Sequence, residues 1–368
     1  MPRLGFACQW DEDAPATWSH IPWNFRAALV EAGELVDVGV ELPGWLRSTL
    51  RVTHVRRWHG RWRSSWNQSR ALAELDARII ERRAAAAGAD AVLQVLDMAV
   101  VRRPYLVFID LSMDLLLDYW EHGAAPYLPE VPRRVVQQFR DRQNRILESA
   151  AGVLAMSHWL ARHLRDHTID GARVHTVHPG VNTPPPTAPP RRRWERERRK
   201  LLFVGKVFRP KGGDLVVEAV KLLRARHVDV SVTVVGPRQW PYPEPPPPGV
   251  DFRGRLPLAS VGPLYDEHDL FLMPSRFEAL GIVFAEALAR GLPCVARNAC
   301  AMPELVEPGR NGALVDSDDP EELADKIVDC LNDESLYRRT WDEAASAAAY
   351  YSWDRAARQV FELVDRLS

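Results

Sequence analysis

The sequence predicts an α/β protein built from two doubly wound, Rossmann-like domains that face a cleft. Its 368 residues exceed the usual size of one hydrophobic core. Short apolar runs alternate with helix-length segments through both halves, which favours a parallel sheet in each half. A proline- and arginine-rich stretch separates the two halves. We therefore expect two sheets of similar construction, one on each side of a linker.

The predicted elements follow from apolar periodicity and run length. In the first half the expected strands are 4–9, 36–42, 91–96, 106–111 and 153–156, and the expected helices 23–32, 69–87, 135–150 and 159–166. In the second half we expect strands at 201–205, 230–236 and 270–273, and helices at 214–224 and from Ile282 onward. Parallel strands joined by such helices give a doubly wound sheet.

The predicted linker is rich in residues that break regular structure. It spans 183–199, within the run TPPPTAPPRRRWERERRK, where prolines remove backbone donors and end helices. The predicted domains are therefore 1–182 and 200–350, followed by a C-terminal helical segment, 351–368.

Composition excludes several classes of protein. The formal net charge is -1, so the chain as a whole has no attraction for nucleic acid or anionic membranes. No apolar stretch approaches the roughly 18 residues of a membrane span, and no signal peptide is evident, so we expect a cytoplasmic protein. The four cysteines have no metal-ligand spacing and are expected to be reduced, mostly buried thiols.

The most informative stretch is 269–296, DLFLMPSRFEALGIVFAEALARGLPCVA. A strand leads into a loop with Glu278 and Gly281, and a helix begins near Ile282. Ligands of open parallel sheets bind beyond such strand ends, and glycine lets backbone amides approach an anion closely. The helix start favours a diphosphate, whereas Glu278 suits sugar hydroxyls and Glu286 suits a ribose diol.

This stretch resembles the signature of the retaining family 4 (group 1) glycosyltransferases of GT-B fold, in which two glutamates stand eight residues apart. The resemblance implies that Glu278 contacts the donor sugar and that Glu286 contacts the ribose. It also implies that the amides of Leu280, Gly281 and Ile282 bind the phosphates. The activity implied is transfer of a hexose from a UDP- or GDP-sugar to a sugar-containing or other small acceptor, with retention, no bound cofactor and no metal.

The run Leu201–Gly213, LLFVGKVFRPKGG, carries the second match. The family has a strand, then Gly-Arg, then a Lys-Gly pair that opens a helix, and the two cations bind the diphosphate. By resemblance Lys211 takes the second role. Lys211 and Glu278 are the candidate catalytic residues, with Asp110 in the first half as a third. Lys206 stands where the family usually has arginine, so charge is kept without a bidentate grip, and Arg209 is the alternative cation.

Weaker matches extend the resemblance along the chain. They are Ala155–Ser157, the run Val177–Asn182, and Ser352–Asp354 at the start of the final helix. In the family that helix crosses back to the first domain.

The first half departs from the family pattern, because no glycine-rich loop follows its first strand. Trp18, His20 and Trp23 lie there instead; they suit an acceptor sugar, although a capping serine with core tryptophans explains the segment equally well. Where the family often has histidine, the run 106–112 has Asp110, which either orients the acceptor or makes a structural hydrogen bond. A sugar-nucleotide epimerase or hydrolase stays as an alternative, although it would need an acid/base set that is not evident. The missing histidine and glycine-rich loop keep a non-catalytic sugar-nucleotide-binding protein as another.

The segment 51–70 contains six arginines and no acid. A helix there would place Trp58, Trp62 and Trp66 along one face. Its possible uses are an acceptor flap, a membrane-surface segment or a solvated loop, and nucleic acid is disfavoured. The acidic triplets 11–13 and 316–318 are interpreted as structural rather than metal-binding.

Overall fold

The computed structural model describes residues 2–58, 61–64, 70–122, 132–184, 193–195 and 197–367. The chain divides into two compact units, the first formed by Met1–Gly180 with Trp353–Ser368 and the second by Val181–Ser352. Most of the predicted linker, 183–199, lies outside the described residues, and the predicted domain boundaries stay a prediction.

The first unit contains eight strands among its described residues. They are β1 (Leu4–Ala7), β2 (Leu35–Asp37), β3 (Val55–Trp58), β4 (Arg61–Ser64), β5 (Ala91–Val95), β6 (Tyr105–Ile109), β7 (Gly152–Ala155) and β8 (Val174–Thr176). Six of them form a parallel sheet in the order β2–β1–β5–β6–β7–β8. The predicted strand at 36–42 is shorter than expected, since only β2 pairs in the sheet. β1, β5, β6 and β7 are buried throughout, as apolar strands covered on both faces are.

Six helices connect these strands. They are α1 (Ile21–Ala32), α2 (Gly44–Thr53), α3 (Arg70–Ala87), α4 (Met113–Glu121), α5 (Arg133–Ser149) and α6 (His158–His167). Serine side chains cap two of them: Ser112 accepts from the Leu115 amide and Ser157 from the Leu160 amide, each at 3.1 Å. Such caps fix where α4 and α6 begin after the preceding strands.

The helical interpretation of residues 51–70 is wrong over the central part of that segment. α2 ends at Thr53, and β3 and β4 pair antiparallel as a separate two-stranded sheet. The tryptophan spacing of four residues favours a helix, but the antiparallel ladder between β3 and β4 satisfies the backbone groups of both strands instead. Trp66 lies outside the described residues.

The second unit repeats the same plan with a different strand order. Its strands are β9 (Lys200–Val204), β10 (Ser231–Val235), β11 (Val250–Gly254), β12 (Leu270–Met273), β13 (Cys294–Arg297) and β14 (Gly312–Val315). They form a parallel sheet in the order β11–β10–β9–β12–β13–β14. Its helices are α7 (Gly213–Ala225), α8 (Leu258–Glu267), α9 (Ile282–Leu288), α10 (Pro320–Asn332) and α11 (Glu334–Tyr350). Because the chain adds strands first on one side of β9 and then on the other, the order reverses between β9 and β12.

The last helix, α12 (Trp353–Asp365), packs in the first unit against α1. Phe25 on α1 and Trp353 have ring centroids 5.3 Å apart. Arg355 donates to the carbonyl of His178, and Gln359 donates to the carbonyl of Thr176 at 3.0 Å. α12 is thus fixed along the segment that ends the first unit's sheet.

The cysteines and the apolar segments bear on two further expectations. Cys8, Cys294 and Cys330 are buried, Cys300 is half-buried, and all four are free thiols. Burial raises the pKa of Cys8 and of Cys330 to about 12, with nearby carboxylates adding to the shift, which keeps both as unreactive thiols. Among the described residues no helix has both the length and the apolar character needed to span a bilayer.

Candidate active site

The candidate site lies where the strand order of the second sheet reverses. β9 and β12 are parallel neighbours there, and each is followed by a loop: 205–212 after β9 and 274–281 after β12. Ligands of open parallel sheets usually bind in the crevice at such a point. All eight residues predicted to bind the donor belong to this unit, and seven of them lie on these two loops or at the start of α9.

Lys211 and Glu278 are in direct contact across the two loops. The ammonium of Lys211 donates to Oε2 of Glu278, and both side chains are largely buried, with exposed fractions of 22% and 13%. A partly buried pair of this kind is screened less by solvent than a surface pair. An ammonium group has three N–H donors and a carboxylate has several lone pairs, so Lys211 and Glu278 both retain capacity for a ligand.

Arg276 holds the two loops together, a role that sequence reasoning missed. Its backbone amide donates to the carbonyl of Pro210 at 3.0 Å. Its guanidinium donates to both oxygens of Asp214, in the first turn of α7, at 2.9 and 3.1 Å. Nε donates to Asp318 at 2.7 Å, and Arg297 also pairs with Asp318. The loops are therefore fixed relative to each other by charge-assisted bonds.

Gly212 allows the first loop to pass close to the second. Its φ of +77° lies in the left-handed region, and a Cβ there would stand 2.5 Å from the carbonyl oxygen of Pro274. Only glycine meets both conditions without strain. The close approach of the two loops therefore requires glycine at the position after Lys211.

The second loop ends at Gly281, which has φ +82° and precedes α9. Leu280 is buried, with 5% of its surface exposed, and Ile282 is half-buried. A Cβ on Gly281 would stand 2.7 Å from the ring of Phe284 and 3.1 Å from Cγ of Glu278. The glycine therefore leaves room for the side chain that contacts Lys211.

Further cations surround the same edge of the sheet. Burial and then the positive charge of Arg255 lower the pKa of Lys206. Arg255 directly follows β11, two strands from β9, and sequence reasoning missed it as well. An arginine immediately after a strand of this sheet was the available signal. Cations that lie close enough to repel one another are typical of a surface that binds an anion.

Arg209 lies on an aromatic cluster. Its guanidinium carbon is 5.7 Å from the centroid of the Tyr242 ring, within the range of a cation–π contact. Phe208, Trp240 and Tyr242 contact one another with centroids 5.4 to 6.0 Å apart. The proline-rich segment after β10 thus supports the loop that carries Arg209.

Glu286 differs from the other predicted donor residues because it is buried and already bonded. Only 3% of its surface is exposed. Oε1 accepts from the Asn182 amide at 3.1 Å, and Oε2 accepts from the Tyr265 hydroxyl at 2.9 Å. Burial raises the pKa of this carboxyl to about 7, although these bonds, the Thr183 amide and Arg290 favour the charged form.

The residues predicted for the acceptor lie in the first unit. Asp110 follows β6 directly and is half-buried. Trp18 and His20 belong to a short 3-10 turn, 14–20, in which both have positive φ, +40° and +69°. Trp23 lies on α1, is 43% exposed, and packs edge-on against Trp10 with centroids 6.1 Å apart. Left-handed non-glycine residues store strain that often marks functional sites.

The acidic triplet 316–318 has structural contacts. Asp318 pairs with Arg276 and Arg297, and these cations lower its pKa against the effect of burial. Asp316 accepts from the Asn298 amide group at 2.9 Å. In the part of the chain that the structure describes, no cluster of three or more metal-ligating side chains occurs.

Two family models match overlapping parts of the chain. A model of the group 1 glycosyl transferases matches residues 198–333, which include both candidate loops. A model of family 4 glycosyltransferases in conflict systems matches residues 105–244. The two matches together extend from β6 of the first unit to α10 of the second.

Among curated proteins, the chain is 30% identical over 215 residues to the D-inositol 3-phosphate glycosyltransferase of Corynebacterium urealyticum. That match covers 52% of this chain and 51% of the relative, so the chain spans about half the length of the relatives it matches.

Solved structures resemble the whole chain at low sequence identity. Sucrose-phosphate synthase from Thermosynechococcus elongatus superposes with a TM-score of 0.73 at 16% identity, covering 100% of this chain and 99% of that one. Anabaena HepE, solved in complex with UDP and glucose, gives 0.67 at 16% identity over 99% and 100% of the two chains. These likenesses establish the GT-B fold, and the two family models show that parts of both units are similar to the group 1 and family 4 glycosyltransferases.

Proposed function

We propose that the protein transfers a sugar from a nucleotide-diphosphate sugar to a small acceptor, with retention of anomeric configuration. The contact between Lys211 and Glu278 at the strand-order reversal carries this proposal. It joins a cation suited to a phosphate with a carboxylate suited to sugar hydroxyls. The hydrogen bonds of Arg276 fix the two loops that carry this pair. A non-catalytic binder would not need this degree of preorganisation, which is characteristic of catalytic electrostatics.

In this proposal the diphosphate binds the cationic edge of the second sheet. Lys211, Arg209 and Lys206 neutralise its charge, and the backbone amides of Leu280, Gly281 and Ile282 donate to its oxygens. Glu278 accepts from a hydroxyl of the donor sugar while it stays in contact with Lys211. The Glu286 carboxylate already accepts hydrogen bonds from Asn182 and Tyr265. To bind the ribose it would have to accept the ribose hydroxyls through its remaining lone pairs, and this role stays a prediction.

The chemistry needs no side-chain base. The bond between the anomeric carbon and the leaving phosphate breaks on the face where the acceptor hydroxyl attacks. The departing phosphate oxygen takes the acceptor's proton, so charge and atoms balance. Asp110 would orient the acceptor hydroxyl rather than deprotonate it. With cations already at the diphosphate, the reaction proceeds without a divalent metal, and a chelator should leave the rate unchanged.

Relatives suggest which substrates to try first. HepE was solved with UDP and glucose, so UDP-glucose is the first donor to test, followed by other UDP- and GDP-sugars. The curated relatives are named for D-inositol 3-phosphate, which makes this cyclitol phosphate the first acceptor. Both substrates are starting points of a panel.

The test measures nucleotide release by the purified protein with each donor, with and without each acceptor. Acceptor-dependent release, with a product whose anomeric configuration matches the donor by NMR, supports retaining transfer. Release without acceptor that yields free sugar or an isomer would instead indicate a hydrolase or an epimerase. Saturable donor binding without turnover over the whole panel would contradict the proposal in favour of a binding protein.

A further inference from the structure

Three side chains on the first unit are far more exposed than the other large hydrophobic residues that the structure describes. Trp45, Val52 and Trp62 have 71%, 73% and 70% of their surface exposed, whereas the next in order, Val30, has 50%. All three lie within 18 residues of one another in sequence. Single exposed apolar residues are ordinary, but a concentration of the most exposed ones in one segment marks an interaction surface.

α2 holds two of these residues away from the core. Leu46 and Leu50 on α2 pack against the hydrophobic core of the first unit. Trp45 and Val52 are seven residues apart, so they share a face of the helix that differs from the packed one. No residue of α2 is fully buried. The helix thus rests on the unit by one apolar stripe and presents a second one to solvent.

The hairpin adjoins this helix and adds the third apolar residue. Trp62 on β4 lies opposite Arg57 on β3 in the ladder, and both side chains are exposed. The hydroxyl of Ser64 donates to the carbonyl of Arg51 on α2 at 2.7 Å, which ties the hairpin to the helix. We name Trp45, Arg51, Val52, Arg57 and Trp62 the tryptophan–arginine surface.

The charge of this segment is uniformly positive. Residues 42–73 include seven arginines and no aspartate or glutamate, although the whole chain has a net charge of -1. A local basic patch on a nearly neutral protein implies an anionic partner at that patch. Exposed indoles beside arginines are the combination that favours the boundary between lipid headgroups and acyl chains.

From this juxtaposition we propose that the tryptophan–arginine surface docks the first unit on an anionic lipid bilayer. Trp45, Val52 and Trp62 enter the interfacial layer while Arg51 and Arg57 contact lipid phosphates. A soluble polyanion would use the arginines but would leave the exposed aliphatic side chain of Val52 without a role. This inference does not depend on the proposed transfer reaction.

The test is sedimentation of the full chain with vesicles of phosphatidylcholine alone or with about one third phosphatidylglycerol. We expect binding to the anionic vesicles only. The variant Trp45→Ser/Val52→Ser/Trp62→Ser should lose on the order of ten-fold or more in affinity, because burying each such side chain is favourable. Arg51→Gln/Arg57→Gln should lose about 25-fold, since each arginine near an anionic surface contributes roughly five-fold.

Matched controls separate this surface from general effects of composition. Val30→Ser/Tyr350→Ser removes exposed hydrophobic residues elsewhere, and Arg338→Gln/Arg339→Gln removes two exposed arginines of α11. Both controls should bind vesicles like the unmodified protein, and thermal unfolding should show all variants folded. Absence of vesicle binding, or equal binding by the surface variants, would overturn the proposal. So would binding to nucleic acid in place of vesicles.

Discussion

Arg276 forms a two-pronged ion pair with Asp214, with Nη1 and Nη2 at 2.9 and 3.1 Å from the two carboxylate oxygens. The pair joins the loop that carries Glu278 to the first turn of α7, directly after the loop that carries Lys211. Parallel bonds of this type constrain direction as well as distance. The contact between Lys211 and Glu278 is therefore set by a neighbouring pair that need not touch the substrate.

Replacing Arg276 with lysine should slow transfer by about ten- to hundred-fold, because small displacements of reacting groups have large effects on rate. Lysine keeps the charge but loses the fork that binds both oxygens of Asp214. A positioning role predicts that most of the loss falls on kcat, with donor KM changed less. Steady-state kinetics with the donor that the substrate panel identifies would measure this split.

The partner variant Asp214→Asn supplies the internal check. In a double-mutant cycle the two changes should be strongly non-additive, with a coupling of about 0.5–3 kcal/mol. Arg310→Lys, which alters an exposed arginine paired with Glu307 and Glu343, is the matched control and should leave the kinetics unchanged. Additive effects of Arg276→Lys and Asp214→Asn would count against a shared role.

Lys211→Ala should lower kcat/KM for the donor by about 10²–10³-fold, the usual cost of losing one preorganised group that stabilises developing charge. Glu278→Gln should be comparably slow, because the amide keeps the shape of the carboxylate but not its charge. Lys221→Ala, on the exposed face of α7, removes a lysine in the same unit and should behave like the unmodified protein. Activity of Lys211→Ala within about two-fold of the unmodified protein would remove Lys211 from the site.

The second unit was the more predictable half because its signals are local. The strand 270–273 and the start of the next helix at Ile282 agree with the expected positions, since a short apolar run, Gly281 and the apolar helix that follows are each encoded nearby. The contact between Lys211 and Glu278 is not local, because it requires β9 and β12 to be neighbours. The resemblance to a known family implied only that both residues bind the donor, and their mutual contact was not predicted.

The residues that were missed have partners far away in sequence. Arg276 and Asp214 are 62 positions apart, and no periodicity or motif relates them. In the first unit, α2 was missed because apolar residues occupy two of its faces, Leu46 with Leu50 and Trp45 with Val52, which hides the usual amphipathic pattern. The segment 55–64 has spacing compatible with a helix, and tertiary pairing decides for the hairpin.

Stability should depend on the protonation of Glu286. Its pKa in the folded state is about 7, above the ordinary glutamate value near 4.3, so the folded protein holds a proton that the unfolded chain releases. This contribution is present below about pH 4 and is lost as the pH rises toward and through 7. Its full size is about 4 kcal/mol, from 1.36 kcal/mol for each unit of difference between the two pKa values.

Glu286→Gln should abolish that part of the dependence. Denaturant unfolding at pH 5 and pH 8 would give the change for the unmodified protein and for the variant. Burial in the first unit also raises the pKa of Asp76 to about 7. Asp76 is present in both proteins, so its contribution to the pH dependence of stability cancels in the comparison. Identical pH dependence of the two proteins would show that Glu286 stays ionised when folded.

Gly180→Ala should destabilise the first unit, because the backbone there passes against the start of α12. An added Cβ would stand 2.3 Å from the amide nitrogen and 2.5 Å from Cγ of Trp353, far inside contact distance. Relief requires α12 to move, and overpacking of this kind typically costs about 1–3 kcal/mol. Gly44→Ala is the matched control, since nothing lies within 4 Å of its added Cβ and alanine is the better helix former. The urea concentration at half unfolding should therefore be lower for Gly180→Ala than for the unmodified protein, and equal or higher for Gly44→Ala. If Gly180→Ala unfolds at the same urea concentration as the unmodified protein, α12 is not held against this segment in solution.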